Sequence, residues 1–203
     1  ASGGLDSTVV IALYKNLGYD VHLLYLPYGN INQEAEMRKL AGIREKFDIV
    51  EDNFHTIPIN LNYSNSSSMR EDGGVLYVEM RNLIFISYAI SLAEAIEIDE
   101  IAVGFIQALE PYRDATLDFI LRINDLAVNT SDIEIKAPLI HLDKAGVYML
   151  GEKLGVRLSD TYSCGRSGTK PCGDCYDCID TKQLIKQCYI PDEDNPFKIN
   201  SPK

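Results

Sequence analysis

Cys164, Cys172, Cys175 and Cys178 are four of the chain's five cysteines, crowded into one short segment with the spacing C-x7-C-x2-C-x2-C. Two overlapping CxxC turns put three sulfurs on one knuckle, and the fourth arrives from a Gly-containing loop. Four soft ligands close a tetrahedral structural zinc site, and four thiolates also suit an iron–sulfur cluster. Zn2+ is the expectation, because no redox role is suggested elsewhere in the chain. Gly165, Gly168, Gly173, Asp174 and Asp177 make the segment polar and turn-rich, with little core in which to bury unliganded thiols. Cys188 follows on a helix and reads as an ordinary cysteine. Clustering of this kind argues against a disulfide framework and for a reducing compartment, most simply the cytoplasm.

The second constellation is Ser2-Gly3-Gly4-Leu5-Asp6-Ser7-Thr8. Without Cβ atoms, a Gly-rich turn lets backbone N–H groups converge on phosphate oxygens. A helix beginning near Leu5 adds the positive end of its dipole, and Ser2, Ser7 and Thr8 supply hydroxyl donors. No Lys follows the glycines, which excludes the GxxxxGK[ST] loop of kinases and GTPases. Asp6 beside phosphates calls for a counter-charge, which Mg2+ would provide. By spacing alone the same residues also fit a plain helix N-cap.

Positioning these groups requires a folded α/β scaffold. At 203 residues, 46% hydrophobic and 24% charged, the chain has the balance of a soluble globular protein of one domain with a small appendage. No apolar run approaches the roughly 18 residues of a membrane span. Thirty acidic against 19 basic residues give a formal charge of −11, which disfavours a nucleic-acid partner and favours a small substrate. Apolar periodicity predicts a helix from about Leu5 to Gly18, a buried strand over 21–26, a helix over 33–47 and an irregular strand over 56–61 that includes Pro58. A polar Ser/Asn-rich loop over 62–74 follows. Then come a helix over 81–98, a strand over 100–104, a helix over 115–128, a strand over 133–137, and helices over 143–154 and 177–188. Such alternation predicts a parallel sheet with helices on both faces. The expected division is a nucleotide-binding α/β domain over 1–155 and a zinc-binding segment over 156–203. Since phosphate turns are fed by a buried strand, a short hydrophobic strand is expected before Ala1.

The string Ser2 to Ser7 resembles the SGGxDS signature of the PP-loop ATP pyrophosphatases. Taken with the cysteine cluster, it is similar to the 7-cyano-7-deazaguanine synthase family of queuosine precursor synthesis, and the likeness covers nearly the whole chain. Tyr28-Gly29-Asn30 sits where that family has Tyr-Gly-Gln. Ser66-Ser67-Ser68-Met69 resembles its Ser-rich segment, and Arg81-Asn82 with Ile84-Phe85-Ile86-Ser87 its Arg-Asn helix start. Pro138-Leu139-Ile140 with Lys144, and Asp160-Thr161-Tyr162-Ser163-Cys164, match two further patterns.

The resemblance implies an adenine-nucleotide-binding PP-loop fold and an ATP-dependent carbon–nitrogen ligase. It would join ammonia to the carboxylate of 7-carboxy-7-deazaguanine through an adenylate, with the amide then dehydrated to a nitrile. It implies that Ser2, Gly3, Gly4, Leu5, Asp6, Ser7, Thr8 and Arg81 bind ATP with Mg2+. Asp6, Ser7 and Lys144 would act in catalysis, and Tyr28, Asn82 and Asp114 would meet the substrate. A homodimer would suit the family. The stretch Tyr112 to Phe119 departs from its Tyr-Pro-Asp-Cys-Arg-Pro-x-Phe pattern, keeping Asp114 and Phe119 but not the Cys or Arg. That departure keeps open a relative adenylating another carboxylate, on a small molecule or a protein. A non-catalytic zinc-knuckle interaction module is a further alternative. His22, His55 and His141 show no mutual ligand spacing and read as structural or solvated.

Overall fold

The computed structural model describes residues 1–61, 78–107, 113–166, 168 and 170–198. The expected loop over 62–74, with Ser66 to Met69, falls outside these residues, as does Tyr112. The chain divides into two compact units, Ala1–Val78 with Tyr148–Lys203, and Glu79–Val147.

The first unit opens with α1 (Leu5–Asn16), followed by β1 (Leu23–Tyr25), α2 (Gln33–Lys46) and β2 (Phe54–Thr56). β1 and β2 pair in parallel, Leu23 with Phe54 and Tyr25 with Thr56. Parallel neighbours need a long crossover, and α2 supplies it. Ile11, Leu23, Ile43 and Ile49 are buried together, with Val21, Phe47 and Phe54 packed around them, so the apolar faces of α1 and α2 close on the strand pair. The second strand begins earlier than the sequence predicts. Extended pairing does run on past it, since Ile57 N–H donates to the Tyr25 carbonyl (3.1 Å) and Ile59 N–H to the Pro27 carbonyl (2.9 Å). Pro58, which has no N–H, sits between these two donors, where pairing with β1 needs none from it.

The second unit holds α3 (Arg81–Ala95), β3 (Glu100–Ala102), α4 (Leu117–Ser131) and β4 (Glu134–Lys136). β3 and β4 are again parallel, joined by a helical crossover. Ile86, Ala93, Ile101, Ile120, Ile123, Ala127, Ile133 and Ile135 form its core. Thr116 caps α4, its hydroxyl accepting the Phe119 N–H at 3.2 Å. The helix α5 (Lys144–Lys153) follows, and α6 (Tyr176–Gln187) has Cys175 as its N-cap and Cys178 in its first turn. The expected α/β architecture with parallel strands and a C-terminal cysteine cluster is present. No helix among the described residues is long and apolar enough to cross a membrane.

Candidate functional site

The turn before α1 is shaped by Gly3, whose φ of 72° lies in the left-handed region that side chains resist. A Cβ there would sit 3.1 Å from Lys39 Cβ and 3.3 Å from the Glu36 carbonyl oxygen, so Gly3 rests directly on α2. Gly4 is the N-cap of α1 and brings no side chain to cover the first-turn amides. Its amide donates to Ser2 Oγ at 3.4 Å. Ser2 and Ser7 hydroxyls lie 3.4 Å apart, and Ser7 also donates to the Gly4 carbonyl at 3.2 Å. Thr8 is buried and its hydroxyl donates to the same carbonyl at 2.8 Å; it braces the turn from inside. Asp6 stands in the first turn of α1. A helix N-terminus preceded by a glycine pivot and small hydroxyls is an arrangement that can receive phosphate oxygens.

Beyond the carboxyl end of β1, a polar network links Asn30 to residues that the sequence reading did not single out. Tyr25 OH donates to Glu36 Oε2 (2.9 Å). Asn30 Nδ2 donates to the same oxygen (3.0 Å) and to Asn32 Oδ1 (2.7 Å). Burial, reinforced by the Glu36 carboxylate, pushes the Tyr25 hydroxyl far above the usual phenol range. Asn32 Nδ2 reaches Glu36 Oε1 (3.3 Å) and the carbonyl of Cys164 (3.2 Å). Glu36 draws its partners from the neighbouring turn, whereas the bond from Asn32 to the Cys164 carbonyl spans 132 residues and leaves no local signal.

In the cysteine segment, the sulfurs of Cys164, Cys172, Cys175 and Cys178 all lie within 4.8 Å of one another. Cys172 and Cys178 sulfurs are 3.8 Å apart, and Cys175 and Cys164 sulfurs 4.0 Å. A tetrahedral zinc with bonds of about 2.3 Å would place its sulfurs about 3.8 Å apart. The spacing therefore matches metal ligation and is far too long for disulfides. Backbone amides of Arg166 and Cys172 point at the Cys164 sulfur, and that of Cys175 at the Cys172 sulfur, each at 3.4 Å. Three of the four cysteines are buried and Cys172 is exposed. The four-sulfur donor set fits a structural zinc, and that site lies in the first unit with the Gly3 turn.

Of the residues predicted in the second unit, Asn82 and Asp114 are brought together. Asp114 is buried, and its Oδ2 accepts the Asn82 backbone N–H at 2.8 Å. The N-cap residue of α3, Met80, is left-handed (φ 53°) and makes no side-chain cap, so Asp114 supplies that cap from another element. Arg81 lies over the Phe85 ring, 5.7 Å from its centre. Lys144 opens α5, where Asp143 Oδ1 accepts the Gly146 N–H at 2.8 Å. Tyr28 is half-buried beyond β1. His22 and His55, separate in the sequence reading, are neighbours across the β1–β2 pair, with Nδ1 and Nε2 3.0 Å apart and ring planes within 6°.

The family profile described as "Queuosine biosynthesis protein QueC" matches residues 1–188. The chain belongs to this family. QueC proteins are enzymes, and several relatives of this QueC chain are named 7-cyano-7-deazaguanine synthase. One from a Sulfurihydrogenibium species is 29% identical, with 93% of each chain covered. One from a Nitratiruptor species is 32% identical, covering 87% of each. One from Thermoplasma acidophilum is 32% identical, covering 88% of this chain and 82% of the relative.

Proposed function

We propose that the protein is an ATP-dependent ligase that converts 7-carboxy-7-deazaguanine and ammonia to 7-cyano-7-deazaguanine. The observation that carries this reading is the Ser2-to-Ser7 turn, with its left-handed Gly3 packed on α2 and its glycine N-cap, in a chain of the QueC family.

In this reading the amides of the turn and the hydroxyls of Ser2 and Ser7 receive the β- and γ-phosphates of ATP. These fixed donors stabilise charge growing on the departing pyrophosphate, at no cost of reorganisation. Mg2+, when bound, would offset the repulsion between Asp6 and the phosphates. A carboxylate oxygen of the substrate attacks the α-phosphorus and pyrophosphate leaves. Ammonia then attacks the activated carbonyl carbon, AMP leaves, and an amide results. The amide oxygen attacks a second ATP, again releasing pyrophosphate. Loss of AMP and of both protons from the amide nitrogen leaves the nitrile.

Arg81 is proposed to meet phosphate, Lys144 to neutralise charge in catalysis, and Tyr28 and Asn82 to meet the base. Asp114 serves this site by holding the amide of Asn82, and so the first turn of α3. The four cysteines would hold zinc as a structural clamp, with residues 1–155 as the nucleotide-binding part and 156–203 as the metal-binding part. Cytoplasmic location and a homodimer complete the reading.

Isotope exchange between pyrophosphate and ATP tests the first step. Exchange dependent on 7-carboxy-7-deazaguanine, without ammonia, is the expected result. Exchange driven by another carboxylate alone would move the protein to the other substrate class left open by the altered stretch before Phe119.

A further inference from the structure

We propose that the cysteine loop positions the phosphate turn through Tyr162 and Asn32, so that metal bound by the cysteines and nucleotide bound by the turn favour one another. This rests on the reading of Ser2 to Thr8 as a nucleotide site.

Gly3 is the pivot of that turn, and it is gripped from two directions. On one side α2 lies so close that a Cβ would press on Lys39 and the Glu36 carbonyl. On the other, the Tyr162 N–H donates to the Gly3 carbonyl at 2.9 Å. The neighbouring Gly4 also faces this residue, a Cβ there coming into ordinary contact with the Tyr162 carbonyl oxygen at 3.7 Å. The orientation of the Gly3 peptide therefore follows the position of residue 162.

Tyr162 is in turn set by the cysteine loop. It stands two residues before Cys164, and its ring is buried with Cys164, Cys175 and Cys178. Its hydroxyl donates to the Arg166 carbonyl at 3.1 Å. Asn32 is a second strut. It occupies the N-cap of α2 but makes no side-chain cap; its amide is committed to Cys164 and Glu36. The helix that walls one side of Gly3 is thus tied to the same cysteine whose neighbour walls the other. Lys39, beside Gly3 on that helix, also donates to the Ser159 carbonyl at 2.6 Å.

Four sulfurs joined through one ion hold Cys164 rigidly to Cys172, Cys175 and Cys178. Without that link, Tyr162 and the Cys164 carbonyl lose their fixed reference, and both grips on Gly3 slacken. Coupling between two ligands is reciprocal, so each raises the other's affinity by the same factor.

The test uses the zinc-loaded full-length chain in excess Mg2+. Zinc is drawn off by a chromophoric chelator with and without saturating ATP, and ATP binding is followed separately by calorimetry. The expected result is zinc affinity raised about tenfold by ATP, within the usual range of coupling between sites. ATP's own grip on free Zn2+ acts in the opposite direction and cannot imitate this. Asn32→Ala, with all four cysteines intact, should still bind one zinc per chain and lose most of the linkage. Equal zinc affinity with and without ATP, while calorimetry shows ATP bound, would overturn the coupling alone. No ATP binding by the zinc-loaded wild type would instead remove the nucleotide reading, and the coupling with it. If Asn32→Ala does not fold, the wild-type comparison decides.

Discussion

Gly3 and Gly18 both have positive φ, 72° and 86°, but only Gly3 has close neighbours where a Cβ would go. Gly18→Ala should therefore cost the backbone strain of a left-handed residue, about 1–2 kcal/mol, and leave ATP affinity unchanged. Gly3→Ala should cost at least as much and also weaken ATP binding, because the new methyl displaces the turn from α2. Urea denaturation and calorimetry on the two variants separate strain from loop displacement. Asp6→Ala should abolish ATP turnover with zinc content unaltered, as read by metal analysis; unaltered turnover would take Asp6 out of the mechanism. The His22–His55 bond needs at least one neutral ring. Burial, followed by the neighbouring His22, lowers the His55 pKa below its ordinary 6.5. With a depressed folded value, its contribution is complete above 6.5 and is lost as pH falls through the lower folded pKa. The urea midpoint of the wild type should thus fall more than that of His55→Gln between neutral pH and about pH 5.

At the scale of elements, the α3 start depends on a residue outside the helix. Asp114→Ala should remove the acceptor for Asn82 N–H and destabilise the protein by about 1–2 kcal/mol, as for other lost caps. Asp114→Asn keeps an acceptor of the same shape and should recover most of that stability, though not the favourable charge at the helix start. Equal loss in both variants would mean that the charge, rather than the hydrogen bond, is what matters. The helices were legible in the sequence because each carries apolar residues at helical spacing. β1, β3 and β4 were legible as short apolar runs. β2 was placed too late because Ile57 to Leu61 looks more strand-like than Phe54-His55-Thr56. The regular ladder nevertheless covers Phe54 to Thr56, with single hydrogen bonds to β1 continuing at Ile57 and Ile59. The exchange of caps at α3 was hidden too, since Asp114 lies 32 residues from Asn82.

At the scale of the whole molecule, the legible parts of the candidate site were those with local spacing. The Gly-rich turn and the four cysteines each declare themselves within one short run of sequence. What joins them does not. Asn32 meets the Cys164 carbonyl across 132 residues, and Tyr162 meets Gly3 by a backbone bond that any residue but proline could make. Such contacts leave no mark on residue type and become visible only in the folded chain. The acidic total of −11 agrees with a small substrate in place of a polyanion.

The measurement that tests the central claim most directly is mass spectrometry of products formed by the full-length, zinc-loaded protein. It would be supplied with 7-carboxy-7-deazaguanine, ammonium, ATP and Mg2+. The account predicts the nitrile, 7-cyano-7-deazaguanine, formed with release of AMP and pyrophosphate. Unchanged 7-carboxy-7-deazaguanine, from protein shown by calorimetry to bind ATP, would contradict it.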